Sequence, residues 1–223
     1  MVINMNMNFE EIKNNEEIKS YIERADKCLA QINYTEHSFN HVNRCVAVCE
    51  YILKELGYDE KTIFLAKVAA YMHDIGNVVN RENHAQSGAL LTSMILSKIG
   101  MNYQDIAIIM SAIGNHDESS ANVVDEISAA LILADKTDVR RSRVRKDYKE
   151  FGIHNRVNYA VKNSKVSVNK EEKAIVLNLT IDVEICSIMD YFEIFLSRML
   201  LCKKACNYLN YEFQLRINDQ ALL

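Results

Sequence analysis

The chain contains no proline, and its six glycines are scattered through 223 residues. Proline and glycine are the residues that interrupt helices, so a chain nearly free of breakers is pushed toward long helical segments. The apolar spacing agrees over most of its length. Residues 10–32 carry Ile12, Ile18, Ile22, Ala25 and Leu29 at roughly helical intervals. Across 40–57, Val42, Cys45, Val46, Cys49, Ile52, Leu53 and Leu56 follow an i, i+3, i+4, i+7 pattern, and Gly57 supplies the stop. A third helix is predicted behind Asp59, its N-cap, as far as about Asp74, with Gly76 ending it. Asn83 with Gln86 predicts a capping-box-like start to a helix ending at Gly100. Asn102 opens another to Gly114, and 126–138 reads as a further apolar helix.

Beyond residue 150 the period falls to two. Val166 and Val168 alternate within Lys165–Asn169, and Ile175, Leu177, Leu179 and Ile181 alternate after a polar turn. That pattern predicts an antiparallel hairpin. A long helix over 184–209 follows, and Glu212–Ile217 is expected to add an edge strand. The expected fold is mainly α: a helical body over residues 1–150 with a small α+β element over 151–223 packed on it. No Pro/Gly/Ser linker, repeat or low-complexity tract separates the two.

Composition narrows the function classes. With 49% hydrophobic and 25% charged residues the chain can bury a core and is not intrinsically disordered. A net charge of −4 disfavours an extended nucleic acid as partner. The longest apolar run, Ala129–Ala134, is far too short to cross a membrane, and the N-terminus shows no secretory pattern. A cytoplasmic protein is therefore expected, with its six cysteines as free thiols. Cys45/Cys49 and Cys202/Cys206, each four residues apart, read as small buried residues, as do Tyr191, Phe192 and Phe195 as core aromatics.

The chemistry-bearing residues concentrate near helix ends. His73 and Asp74 follow the apolar stretch Val68–Met72, where a partly buried carboxylate beside an imidazole needs a positive partner. His41 sits one turn into its helix, His84 opens the next, His116 follows Gly114-Asn115, and Asp135 ends the run AALILAD. Any one of these is more simply a satisfied core or surface group. Together they offer imidazole and carboxylate donors from five helices, a mixture that suits Fe, Mn, Zn or Ni better than Ca or Mg. Asp117, beside His116, is a weaker candidate, since an acidic loop residue is usually solvated. His37 reads more simply as a surface residue than as a cleft group, and His154, in FGIHNR, as structural.

The order His41, His73-Asp74, His84, His116, Asp135 resembles the signature of the HD superfamily of metal-dependent phosphohydrolases, in its binuclear form. The resemblance covers about residues 37–140 and implies an HD-type helical bundle. HSFNHVNRCV is similar to the family's first-histidine helix and HDIGN to its HD turn. It implies that His41, His73, Asp74 and Asp135 hold one divalent ion, and that Asp74 bridges to a second carried by His84 and His116. By the same token His73 and Asp74 would be catalytic. The GYP element of cyclic-di-GMP phosphodiesterases is absent and Asn77 replaces the HDIGK lysine, which disfavours that substrate.

A phosphohydrolase also needs cations for the substrate. Between residues 136 and 149 stand Lys136, Arg140, Arg141, Arg143, Arg145, Lys146 and Lys149 against Asp138 and Asp147. Lys136, Arg140, Arg141 and Arg143 are the expected phosphate clamp, because guanidinium forks match phosphate oxygens. The favoured expectation is hydrolysis of a nucleotide-like phosphoester at two transition-metal ions, with magnesium also open. A possible homodimer is part of the expectation. A di-iron oxygenase of HD type and a non-catalytic metal and nucleotide sensor are the alternatives.

Overall fold

The structure, a computed structural model, describes residues 7–145 and 152–222. Lys146, Asp147 and Lys149 of the basic stretch lie outside the described residues. The order of elements is α1 (Phe9–Lys13), α2 (Glu16–Gln31), α3 (Phe39–Leu56), α4 (Glu60–Met72), α5 (His84–Lys98), α6 (Tyr103–Gly114), α7 (Glu126–Lys136), α8 (Ile153–Ala160), β1 (Val161–Asn169), β2 (Ala174–Ile181), α9 (Ile188–Tyr208), β3 (Glu212–Ile217) and β4 (Gln220–Ala221). Short 3-10 turns occupy Ile75–Val78 and Arg141–Arg143. The mainly α architecture with a small C-terminal sheet is as expected.

Local signals place most boundaries. Asp59 accepts the Thr62 amide to start α4, and Gly57 ends α3 in the left-handed region at φ 82°. The helix expected over 10–32 is two, because Asn14 caps the end of α1 and the Asn15 side chain accepts the Glu17 and Ile18 amides to begin α2. Ile12, Ile18, Ile22, Ala25 and Leu29 are nevertheless all buried. Asn83 forms no capping box. It adopts φ 57° with no side-chain cap, while Gln86 reaches instead to the Gly114 carbonyl and Ser120 Oγ. The capping boxes lie elsewhere, at Asp125/Ser128 and Ser187/Asp190.

Two hydrophobic clusters share one helix. Ala130, Leu131 and Ala134 of α7 pack into the core of α1–α6, whereas Ala129, Ile132 and Leu133 pack into a second core with the sheet, α8 and α9. An uninterrupted apolar run is what a helix buried on every side requires. The sheet has the order β1-β2-β3-β4, with β1/β2 and β3/β4 antiparallel and β2/β3 parallel. β3 is thus an inner strand and not the expected edge. The 21-residue α9 supplies the crossover that a parallel pair demands, which lets Phe213, Leu215 and Ile217 face the second core. β1 begins earlier than the sequence suggested, with a register irregularity between Val161 and Asn163. FGIHNR is not a loop throughout, since α8 starts within it at Ile153.

Candidate metal centre and its pocket

The histidines and aspartates of α3, α4, α5, α6 and α7 converge where those helices end. Gly76 permits this convergence. It sits in the turn after His73-Asp74, and a Cβ there would stand 1.9 Å from the His84 carbonyl and 2.4 Å from the Gly88 amide. Its role is therefore the close approach of the HD turn to α5, and not the helix stop expected from sequence.

His41, His73, His84 and His116 are buried, with exposures of 0, 0, 2 and 1%. In each, Nδ1 faces an oxygen that can only accept: Asp138 Oδ2 at 2.7 Å for His41, and the carbonyls of Ala70 at 2.8 Å, Arg81 at 3.0 Å and Ile113 at 2.6 Å for the others. Nδ1 must carry a proton, so in the neutral ring each Nε2 has its lone pair free for an ion. His41 Nε2 lies 3.3 Å from His73 Nε2, 3.5 Å from Asp74 Oδ2 and 3.4 Å from Asp135 Oδ1. His73 Nε2 lies 3.2 Å from Asp74 Oδ2. Donors bound to one ion at about 2.0–2.2 Å stand roughly 3.0–3.5 Å apart, so the set fits a divalent cation. Asp74 Oδ2 is buried without a hydrogen-bond partner among the described residues, as an oxygen reserved for an ion would be. Its other oxygen faces the opposite way, 3.6 Å from His84 Nε2, and Asn77 Nδ2 donates to it at 3.0 Å. His73, Asp74 and His116 form a second group able to share an ion.

Burial works against a charged His73, but Asp74 and Asp135 outweigh it and raise the imidazole, so a bound cation would take the place of its second proton. Burial alone would raise the Asp74 carboxyl, but the charge of the adjacent His73 holds it well below the usual range. Burial also opposes ionisation of Asp135, where the Lys136 charge and the His41 hydrogen bond prevail and hold the carboxyl low. His116 is pushed down to about 3 by burial and by the neighbouring His73 and Lys136 charges, so it stays neutral.

Asp138, which the sequence reading treated only as a counter-charge, is the carboxylate that fixes His41. It is fully buried and also accepts Arg44 Nε at 2.9 Å and Arg140 Nε at 2.6 Å, with Arg143 Nη1 at 3.8 Å. It stands three residues after Asp135, just past the end of α7, and meets the opposite nitrogen of the His41 ring. Cys45 was also missed as a neighbour of the centre, its Sγ lying 3.7 Å from His41 Nε2. Burial and the Asp135 charge push its thiol well up, and it forms with His41, His73 and Asp135 a group able to hold an ion. The six cysteines are all free.

The centre opens onto a cavity of about 430 Å³ lined by Asp74, His84 and Asp135 from the ligand set and by Lys136, Arg143, Arg81 and Arg198. Lys136 is buried between Asp135 Oδ2 at 2.7 Å and Glu118 Oε1 at 3.5 Å. Arg143 is 3% exposed, donates to the Glu36 and Asp138 carbonyls, and keeps a buried Nη2 without a hydrogen-bond partner among the described residues. Arg140 and Arg141, expected beside them, do not line this cavity. The chain turns after Thr137, so Arg140 grips Asp138 from behind and Arg141 lies over the Tyr159 ring at 4.5 Å. Two histidines move the other way. His37, half-buried, lines the cavity with its ring 5.3 Å from that of His41 and so is not a remote surface residue, and the exposed His154 lines the same cavity near Phe195. Asp117 lies 3.8 Å from His84 Nε2 and 3.7 Å from Arg81. Arg81 Nη1 itself reaches within 3.3 Å of His84 Nε2.

A helical bundle that gathers imidazoles and carboxylates around an HD turn matches the HD domain family over residues 38–193. The chain belongs to that family. It is 23% identical over 161 residues to the uncharacterised protein MJ1020 of Methanocaldococcus jannaschii, a match covering 62% of this chain and 62% of that protein. The chain thus spans about three-fifths of that relative's length. A crystal structure of a predicted HD superfamily hydrolase from an uncultured Thermotogales bacterium is also similar, with 24% identity and a TM-score of 0.45 over 60% of this chain and 75% of that one. No helix among the described residues is long and apolar enough to cross a membrane.

Proposed function

We propose that this protein is a metal-dependent phosphohydrolase acting on the phosphoester of a nucleotide or a related small compound. The observation that carries the reading is the set of four buried imidazoles, each with its Nδ1 proton tied to an oxygen, with His41 and His73 Nε2 turned toward Asp74 and Asp135, His84 Nε2 toward Asp74, and His116 grouped with His73 and Asp74, at a cation-lined cavity. His41, His73, Asp74 and Asp135 would hold one ion. His84 and His116 would hold a second, with Asp74 bridging through the oxygen that faces His84. Arg81 would then leave His84 Nε2 and turn toward the substrate. Bound transition-metal ions would supply an acidified water near neutral pH and accept charge on the phosphoryl oxygens.

The chain's own residues do the remainder. Arg143 offers the unpartnered Nη2 to a phosphoryl oxygen, and Lys136, held charged by Asp135 and Glu118, adds a fixed positive charge. Arg81 and Arg198 complete the cationic wall. Tyr34, Phe195, Asn155 and Asn158 line the outer part, apolar faces beside amide edges that suit an organic ring with polar substituents. The volume falls within the roughly 300–1,000 Å³ range of small-molecule sites.

The test is to purify the protein without added metal, determine its metal content, and supply Mn or Fe with a panel of nucleotide mono- and diesters. Phosphate release and oxygen uptake are followed together. Metal-dependent phosphate release that disappears in Asp74→Asn supports the proposal. Oxygen uptake without phosphate release points to oxygenase chemistry, and nucleotide binding without either points to a sensor; both outcomes overturn it.

A further inference from the structure

A second cavity, of about 310 Å³, lies behind the metal centre and is lined by Arg44, Arg140, Arg141, Ser142, Lys162, Asn163 and Ser164. It shares no lining residue with the larger pocket. Four cationic side chains meet there, and among the described residues the carboxylates within ion-pair distance of them are Asp138 and Asp182. Asp138 receives Arg44 and Arg140 but is also committed to His41 and Arg143. Asp182 takes Lys162 at 2.8 Å. Arg141 lies within ion-pair distance of neither, although its charge reaches Asp182. Its Nε donates to the Tyr159 carbonyl at 2.6 Å, and its Nη2 is buried without a hydrogen-bond partner among the described residues. The register irregularity at the start of β1 falls where Lys162 and Asn163 line the same cavity. Such irregularities re-aim side chains where a strand meets a site.

We infer that this cavity is a second anion site, distinct from the metal centre, which binds a phosphate group through Arg141, Lys162 and Arg140, with Ser142 and Asn163 as neutral partners. Excess cationic charge gathered in a recess is stabilised by an oxyanion, and two planar guanidinium groups beside an ammonium match its several oxygens. The cavity holds a phosphate with a small organic remainder, so the ligand class is a small phosphorylated molecule or free phosphate. Arg140 connects the two sites. It lies against the anion cavity while its Nε and Nη2 hold Asp138 at 2.6 and 3.3 Å, and Asp138 in turn holds the His41 ring.

The experiment reads Arg141 directly. The metal-loaded protein is treated with phenylglyoxal across a series of inorganic phosphate concentrations, and modification at Arg141 is measured by peptide mass spectrometry. Phosphate is expected to slow modification, and Lys162→Gln, an exposed substitution, to raise the half-protecting concentration by about tenfold. Asp74→Asn should leave protection as in the parent, because it disables the other pocket. A glucose 6-phosphate series distinguishes an organic phosphate, expected to protect at lower concentration, from free phosphate alone; either supports the site. Absence of protection by both probes overturns the inference. So does protection that is lost in Asp74→Asn yet indifferent to Lys162→Gln, since the anion would then act from the metal pocket. Neither result depends on whether the metal centre hydrolyses phosphoesters.

Discussion

Replacing Gly76 by Ala tests whether the close approach of the HD turn to α5 builds the centre. The added Cβ would meet the His84 carbonyl at 1.9 Å and the Gly88 amide at 2.4 Å, against about 3.4 Å for ordinary contact. Both are backbone atoms, so no side chain can rotate away. The start of α5 must retreat by about 1.5 Å, or the turn must do so. Overpacking of this kind costs typically about 1–3 kcal/mol, and the top of that range or beyond is expected where backbone is struck. For a chain of this size that is a loss of roughly 6–12 °C in Tm. The same shift displaces the His84 ring by far more than the roughly 0.2–0.5 Å that a metal ligand tolerates. Thermal unfolding and metal content are the two readouts. Gly88→Ala, whose Cβ would lie 3.1 Å from the His73 carbonyl, should fall between the parent and Gly76→Ala. Gly152→Ala meets nothing within 4 Å and should match the parent. Parent-like Tm and metal content in Gly76→Ala would refute the argument.

Asp138→Asn removes the charge that fixes His41, and should weaken metal binding by about 10–100-fold while far-ultraviolet circular dichroism stays unchanged; a chelator competition measures it, and parent-like affinity rejects the role. Metal content should be near two equivalents in the parent and near one in His84→Ala or His116→Ala, as expected for a binuclear shell. One equivalent in all three under saturating metal would reject the second ion. Arg143→Lys should raise KM for the phosphorylated substrate by about tenfold at unchanged metal content, because an ammonium lacks the fork. Stripping the metal with a chelator should lower Tm by about 5–15 °C, since binding at hundreds of times Kd contributes roughly 3–4 kcal/mol to the folded state.

The helices were legible because their determinants are local. The 3.6-residue spacing of Ile18, Ile22, Ala25 and Leu29, the Asp59 cap and the left-handed Gly57 are each readable within a few residues. Side-chain type and position near helix ends also singled out His41, His73, Asp74, His84, His116 and Asp135, which the tertiary structure brings together around one point. Local sequence alone could not say where the flanking charges go. Arg140, Arg141 and Arg143 lie within four residues in the chain, yet the turn after α7 sends Arg143 toward the metal pocket and the other two behind Asp138. Glu118, Arg198 and His154 reach the pocket from three separate segments, and nothing in their local spacing reports that meeting. β3 became an inner strand because α9 sets it parallel beside β2 and the chain then turns back to pair β4 on its other side. What the sequence determined by itself was the set of elements and the donor atoms, since both follow from backbone propensity and side-chain chemistry. Which cations face the donors, and which back them, was decided by the fold, because that depends on long-range packing about α7.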